Sequence, residues 1–600
     1  MKIKVSDYIA KFIANQKVKD VFLISGGANV ALVDSIAKNK KLSYVCNHHE
    51  QASSIAAEGY SRVNENLAVC IVTTGPAGTN TLTGIMGAWT DSIPVLFIAG
   101  QVKCNDLMSG KLRQFGVQEV DMAKLAKPIT KYSVKVLKPE NISYHLEKAV
   151  FLAKSGRSGP VLLEIPSDVQ ATVIDTIDLK TFDHIKEKLQ IKPEITNKID
   201  KNLERLMKLL ESSSRPLIMA GRGINLAKGR EEIIKLIEKL QVPVVTSMNG
   251  HDLIPTKHPL YAGRHGVFGN RHGNFAVQGT DLLITIGSRN HLWNIGYNWE
   301  MFAPNAKKVV VDIDKAELRK KSVVPDISFN IDAKDFLKLM LKKSSKNTTN
   351  KYSSWVKKCQ SWKENYPVVL QEQKNQKKFV NTYHFTEVLS EEISNDEIIF
   401  TGVGTSFTGT NQSMILKDNQ KLHYNVGCAA MGWGLPAAIG GCFANNKKRT
   451  VLITGDGSLM MNLQELQTIK HHNLPIKIFL YNNSGYLAIK NTQNAFFGGD
   501  LNAVNASTGV SFPDFKKIAK AFNLDHIEIN DHKNLGNKVK KVLNHKGPII
   551  CELIMDPLQT LYPKVHSKKN KDGSMSSATL ENMFPFLPEH ELKQVMRFEE

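Results

Sequence analysis

Apolar runs that end in glycine turns, alternating with helix-patterned stretches, recur along this 600-residue chain. No other feature constrains its fold as strongly. A strand that is apolar throughout must be covered on both faces. Helices between successive strands make the pairing parallel, through right-handed crossovers. In the first third, Val5–Ala14 carries Val5, Ile9, Phe12 and Ile13 on one helical stripe. Val21–Ile24, Leu42–Cys46, Leu67–Thr73 and Val95–Ala99 read as strands, Gln51–Tyr60 as a helix of small residues, and Val161–Ile165 as the closing strand. A second alternation supplies Pro216–Ala220, Val242–Thr246, Leu282–Ile286 and Lys308–Ile313, and a third begins at 379. The expectation is an α/β chain of three doubly wound parallel-sheet domains, at 1–170, 201–342 and 379–560. The polar, Lys-rich stretches 171–200 and 343–378 read as linkers, the second with a surface helix, and 561–600 reads as a tail.

Composition narrows the partners. Hydrophobic residues are 42% and charged residues 22%, which excludes a disordered or fibrous chain. The formal net charge of +21 would suit nucleic acid, a membrane surface or an anionic substrate. The positive residues are mostly dispersed lysines with no accompanying recognition motif, so no nucleic acid is expected as a partner. The seven cysteines include no CxxC pair, which speaks against a disulfide framework or structural zinc and fits a reducing cytoplasm. Lys2, Lys4, Asp7 and Lys11 interrupt any signal-peptide core, and no apolar run approaches about 18 residues, so no membrane partner is expected either.

The chemistry concentrates in VLITGDGSLMMNLQELQTIKHHNLPIKIFLYNN, residues 451–483. It reads as strand Val451–Thr454, tight turn Gly455-Asp456-Gly457-Ser458, amphipathic helix Asn462–His471 and strand Lys477–Tyr481. In such a βαβ unit Asp456 and Asn483 both lie at carboxyl ends of strands, the edge where open α/β sheets bind ligands. A carboxylate and an amide oxygen on one edge suit Mg²⁺, which takes its remaining oxygens from phosphate and water. Gly455 and Gly457 let a diphosphate approach the backbone. An ordinary turn with an aspartate cap is the alternative for the GDG alone; the asparagine pair one strand later favours the ligand reading. A second phrase, CNHHEQASSIAAEGYSR at 46–62, puts Glu50 at a helix start, where the macrodipole alone would favour an acid.

Together these phrases resemble the thiamine diphosphate (ThDP) enzymes, and the second is similar to the HEQ…AxxAxGYAR segment of acetolactate synthase-like members. The resemblance covers roughly residues 5–565. It implies that the three domains are pyrimidine-binding, central and diphosphate-binding. Asp456, Asn483 and the Gly485 carbonyl would be the Mg²⁺ ligands, and Gly455, Gly457 and Ser458 would belong to the diphosphate loop. Glu50 would contact N1′ of the aminopyrimidine and relay the proton that activates the thiazolium. Ser25-Gly26-Gly27 resembles the family's PGG turn, with Ser in place of Pro. Thr73–Asn80, with Thr74, Gly75, Pro76 and Asn80, resembles the TSGPGATN loop near the thiazolium. Gly427–Gly440 is similar to the MGxGLPAAIGA stretch, which makes Met431 and Gly432 cofactor neighbours and Met431 the apolar wedge beneath the rings. Ordinary core packing is the alternative for Met431. Gln118 of a QE pair, Ala488 and Thr492 become substrate-contacting positions. The family holds the pyrimidine end on one subunit and the diphosphate on its partner, which implies a homodimer or homotetramer.

The implied activity is decarboxylation of a 2-oxo acid such as pyruvate, followed by carboligation to an acceptor carbonyl. A simple 2-oxo acid decarboxylase and a non-catalytic ThDP-binding homologue are the alternatives. Two departures bear on the acceptor. Thr492, nine residues beyond Asn483, stands where acetohydroxyacid synthases usually carry Trp. The phrase DGSMSSATLENMFPFLPEHEL is unlike the tails of biosynthetic members. Both features are similar to a branch linked to surface-sugar synthesis, which adds a keto-sugar nucleotide to pyruvate as a candidate acceptor. In the central domain Gly221-Arg222-Gly223 and Gly287-Ser288-Arg289 resemble turns that hold FAD in some members. NHLWNIGYNWEMF follows where FAD-containing members usually have FDDRVTG, so a domain retained without a nucleotide is the equal alternative.

Overall fold

The computed structural model describes residues 1–345, 350–569 and 572–598. Four residues of the expected second linker (346–349) and four of the expected tail (570–571 and 599–600) lie outside the described residues.

Three six-stranded, all-parallel sheets account for the three alternations. The first runs Ser43–Cys46, Asp20–Leu23, Ala68–Val72, Val95–Gln101, Val161–Pro166, Tyr132–Lys135 across the sheet. The third runs Lys421–His423, Ile398–Thr401, Thr450–Gly455, Ile476–Asn482, Ile549–Ile554, Asp525–Ile529. Both follow the order 2-1-3-4-6-5 when the strands of each sheet are numbered along the chain. The central sheet instead runs Tyr261–Arg264, Val244–Thr246, Pro216–Ala220, Leu282–Ile286, Lys307–Asp312, Ile327–Asn330, which is order 3-2-1-4-5-6. In the first and third sheets the direction of winding reverses between strands 1 and 3. Crevices open at the carboxyl ends of such strands. Gly26-Gly27 and Thr73–Pro76 lie at that point of the first sheet, and Gly402–Gly404 and Gly455–Gly457 at that point of the third.

The first and third domains share one apolar core, from Phe22, Ile55 and Tyr60 through Trp433 and Ile439 to Leu452 and Leu480. Its centre is a pair of helices, Glu50–Asn64 and Gly434–Ala444. A Cβ on Gly59 would run into the Ala437 backbone, and one on Gly440 into the Ala56 carbonyl, so the two backbones touch. Beside this contact lies a buried charge cluster. Arg62 Nη2 is 2.5 Å from Glu58 Oε1 and 2.6 Å from Asp91 Oδ2, and Trp433 Nε1 donates to Glu58 Oε2 at 2.9 Å. Such groups are tolerated in an interior because each is paired and hydrogen-bonded. Gly440→Ala is therefore expected to destabilise the chain by about 1–3 kcal/mol, the usual cost of overpacking. An unchanged thermal melt would contradict the backbone contact.

Several expectations need correction. Val161–Pro166 does not close the first sheet; Tyr132–Lys135 pairs outside it. Gly455–Ser458 is not a free turn, because Asp456–Met460 is a short helix that Asp456 opens. The following helix is shorter than expected, Glu465–His471. The stretch 171–200 contributes Val173–Asp175, which pairs antiparallel with Lys2–Lys4, and the start of the helix Asn197–Ser212. The helix in 343–378, Ser353–Asn365, is docked rather than on the surface, with Trp355, Cys359 and Trp362 buried against the central domain. The tail pairs Lys564–Val565 with Met583–Phe584 and sets Phe598 against Trp355, Trp362 and Arg215. No helix among the described residues is long and apolar enough to cross a membrane.

Candidate active site

The strand Thr450–Gly455 delivers Asp456 to the crevice of the third sheet, and the neighbouring strand Ile476–Asn482 delivers Asn483. Asp456 is 2% exposed and Asn483 3% exposed. The Asp456 carboxylate ties the two strand ends together. Its Oδ1 accepts from the Gly457 N–H at 2.7 Å, and its Oδ2 accepts from the N–H groups of Asn483 at 3.1 Å and Gly485 at 3.3 Å. Burial pushes this carboxyl up to about 6, against the lowering effect of those three donors. Asn483 Oδ1 is buried and has no hydrogen-bond partner among the described residues. An unpaired buried acceptor is costly unless something satisfies it.

That arrangement suits a hard cation. One carboxylate, one orphaned amide oxygen and the carbonyl of a residue on the same loop form an all-oxygen donor set. Gly485, at φ +150°, occupies backbone space that a side chain would contest with the Val504 carbonyl. Its carbonyl also accepts from Leu487 N–H at 3.0 Å. A Cβ on Gly455 would meet nothing within 4 Å, while one on Gly457 would meet Tyr486 and approach Met431 Cε at 3.2 Å. The cradle is therefore open at Gly455, and Met431 sits beside the GDG loop. Ser458 is buried in the short helix. Gly432, at φ +84°, accepts through its carbonyl from Asn462 Nδ2 at 2.9 Å.

The other half of the site belongs to the first sheet. Glu50 is the first residue of its helix, past the edge strand Ser43–Cys46, and His49 Nδ1 caps that helix by accepting from Gln51 N–H at 3.1 Å. Glu50 is half-buried, and its Oε2 accepts from Asn80 Nδ2 at 3.0 Å. Asn80 ends the short helix Pro76–Asn80, so two sequence-read residues meet. Gly75, at φ +65°, packs on the Gln118 carbonyl, which brings exposed Gln118 to that loop. Thr74 Oγ1 donates to Gln101 Oε1 at 2.9 Å, and Gly26 lies against the Thr73 side chain, while Gly27 faces open space. Ala488 and Thr492 share a face of the helix Leu487–Phe497 and are joined by a Thr492 Oγ1–Ala488 carbonyl hydrogen bond of 3.0 Å. Ala488 approaches Gly404, at φ +75°, of the third-sheet crevice.

Among the described residues no hydrogen bond joins Glu50 to the Asp456 loop; its neighbours reach the third domain instead, Asn47 Nδ2 and His48 N–H donating to Glu465 at 2.8 and 2.9 Å and Asn462 Nδ2 donating to Gln51 Oε1 at 3.3 Å. Sequence reasoning passed over Gly404, Gln101 and Lys490. Gly404 follows a short strand in a VGTS phrase that carries no family word, and Lys490 is one lysine among many. In the central domain Gly221 and Gly223 pack directly on Gly287 and Ser288. Those turns border a cavity of about 270 Å³, with Asp91, Arg222, Arg289 and Asp312 in its wall.

Comparison with known proteins agrees with this architecture. Models of thiamine pyrophosphate enzymes match the chain three times. The N-terminal TPP binding domain matches residues 3–125, the central domain 203–340 and the C-terminal TPP binding domain 402–553. The chain belongs to the thiamine pyrophosphate (thiamine diphosphate) enzyme family. Within it, the chain is related to acetolactate synthase. It is 31% identical to the acetolactate synthase large subunit of Cyanidium caldarium, over 93% of this chain and 94% of that protein. It is 30% identical to acetolactate synthase isozyme 1 large subunit of Escherichia coli (93% and 95% covered) and 31% identical to chloroplastic acetolactate synthase 1 of Zea mays (94% and 87%).

Proposed function

We propose that this chain is a ThDP- and Mg²⁺-dependent decarboxylating carboligase of acetolactate synthase type, with pyruvate or another 2-oxo acid as donor. The observation that carries the reading is the orphaned Asn483 oxygen beside the buried Asp456 carboxylate, in a chain with acetolactate synthases among its relatives. Asp456, Asn483 and the Gly485 carbonyl would hold Mg²⁺, and Gly455, Gly457 and Ser458 the diphosphate. When bound, ThDP supplies a thiazolium carbon that adds to the keto carbon and accepts the electrons left by CO₂. The chain supplies the rest. Glu50, oriented by Asn80, holds and exchanges a proton at N1′ of the aminopyrimidine. Met431 gives the rings an apolar support, and Thr74, Gly75 and Pro76 with Gly26 and Gly27 shape the pyrimidine side. Gln118, Ala488 and Thr492 contact donor and acceptor.

Thr492 is small and exposed, which favours an acceptor larger than pyruvate, such as a keto-sugar nucleotide. Self-association as a homodimer or homotetramer brings the Glu50 half of one chain to the Asp456 half of another. The exposed apolar side chains Leu112, Phe115 and Val117, on the segment that reaches Gln118, are suited to such an interface. The test is incubation with pyruvate, ThDP and Mg²⁺, with and without keto-sugar nucleotides, read by mass spectrometry. Acetolactate or a branched sugar supports the proposal. Acetaldehyde alone makes the chain a simple decarboxylase, and failure to consume any 2-oxo acid overturns both readings.

A further inference from the structure

Lys490 is 4% exposed, on the inner side of the helix Leu487–Phe497. Its Nζ donates to the Asn483 carbonyl at 3.3 Å and lies 3.2 Å from where a Cβ on Gly485 would stand. Among the described residues no carboxylate reaches it within the 4.0 Å of an ion pair. Buried ammonium groups are costly unless a negative charge accompanies them, and here Asp456 and Asp556 act only from beyond contact distance, so this lysine has no carboxylate in direct contact. It stands against the loop 483–485, the same loop that offers a neutral orphaned oxygen and a carbonyl toward the expected cation. Of the two carboxylates that act on it from further off, Asp456 is already engaged by three N–H donors, and Asp556 makes no ion pair with it.

We infer that Lys490 is a fixed positive charge of the diphosphate site, whose missing counter-charge is the phosphate group of the cofactor. The inference rests on the ThDP reading above and adds a residue to it. A divalent cation and one carboxylate leave a diphosphate group, at roughly three negative charges, under-neutralised; one buried ammonium removes part of the excess. Its hydrogen bond to Asn483 also fixes the backbone on which the cation donors ride. A lysine kept for packing alone would be replaced without loss by a neutral chain of the same length. A lysine kept for its charge would not.

The experiment compares the full-length chain with Lys490→Met and Lys490→Gln, at saturating Mg²⁺, by calorimetric titration with ThDP and separately with inorganic pyrophosphate. Both variants are expected to melt as the unsubstituted chain does. Both should bind ThDP and pyrophosphate more weakly by a similar factor, about 30-fold or more, the usual consequence of removing one member of a buried charge pair. Binding of ThDP within about threefold of the unsubstituted chain would overturn the inference. So would loss of ThDP binding with pyrophosphate binding intact, or an early melt in both variants, which would assign Lys490 to packing. If the unsubstituted chain binds neither compound, the ThDP reading itself fails.

Discussion

Glu50→Gln is expected to lower turnover of the 2-oxo acid by about 10²–10⁴-fold, the range contributed by a positioned acid–base group. ThDP should remain bound. Glutamine keeps the size of the side chain and can still accept a hydrogen bond from Asn80, but it cannot exchange a proton. The loss should therefore fall on kcat rather than on cofactor affinity. Exchange of the cofactor's thiazolium C2 proton, followed by NMR in D₂O, isolates the step; near-normal exchange in the variant would remove Glu50 from the relay.

Asp456→Ala should act at the other end. It removes the only carboxylate of the donor set and the acceptor that ties three backbone N–H groups together. Affinity for ThDP in the presence of Mg²⁺ is expected to fall by about 100-fold or more, since losing a mere outer partner of a metal site already costs about 10–100-fold. The same carboxylate sets a pH dependence. Because burial holds its pKa at about 6, protons compete with the cation below that value. Affinity for Mg²⁺-ThDP should decline as pH falls through about 6 and level off above it. Unchanged binding in Asp456→Ala would place the cation elsewhere. Mixed with Glu50→Gln chains, Asp456→Ala chains should recover up to about a quarter of full activity if each site is built from two subunits.

How much of this could be read from the residues depends on what each residue is asked to do. Interior strands such as Ala68–Val72 and Ile476–Asn482 are covered on both faces, so their composition announces them. Tyr132–Lys135, Tyr261–Arg264 and Ile327–Asn330 are edge strands, short and either partly polar or glycine-bearing, and they were overlooked for that reason. The Ser353–Asn365 helix shows a different failure. Trp355, Cys359 and Trp362 have the spacing of a buried stripe, but the surrounding lysines dominate a compositional reading. Asp456, Asn483 and Glu50 were readable because their neighbours form family phrases. Lys490 has no such phrase; what distinguishes it is burial, shared among the described lysines with Lys477, together with its place against the loop 483–485.

The backbone contact at Gly59 and Gly440 restricts how the first and third domains can move. Two helices with no cushion of side chains between them, and with Trp433 latched to Glu58, cannot slide or hinge without losing both contacts. The first and third sheets of a chain therefore travel as one body. On the function proposed above, substrate access is therefore expected through smaller parts, the peptide around Gln118 and the helix that bears Thr492, neither of which belongs to that spine.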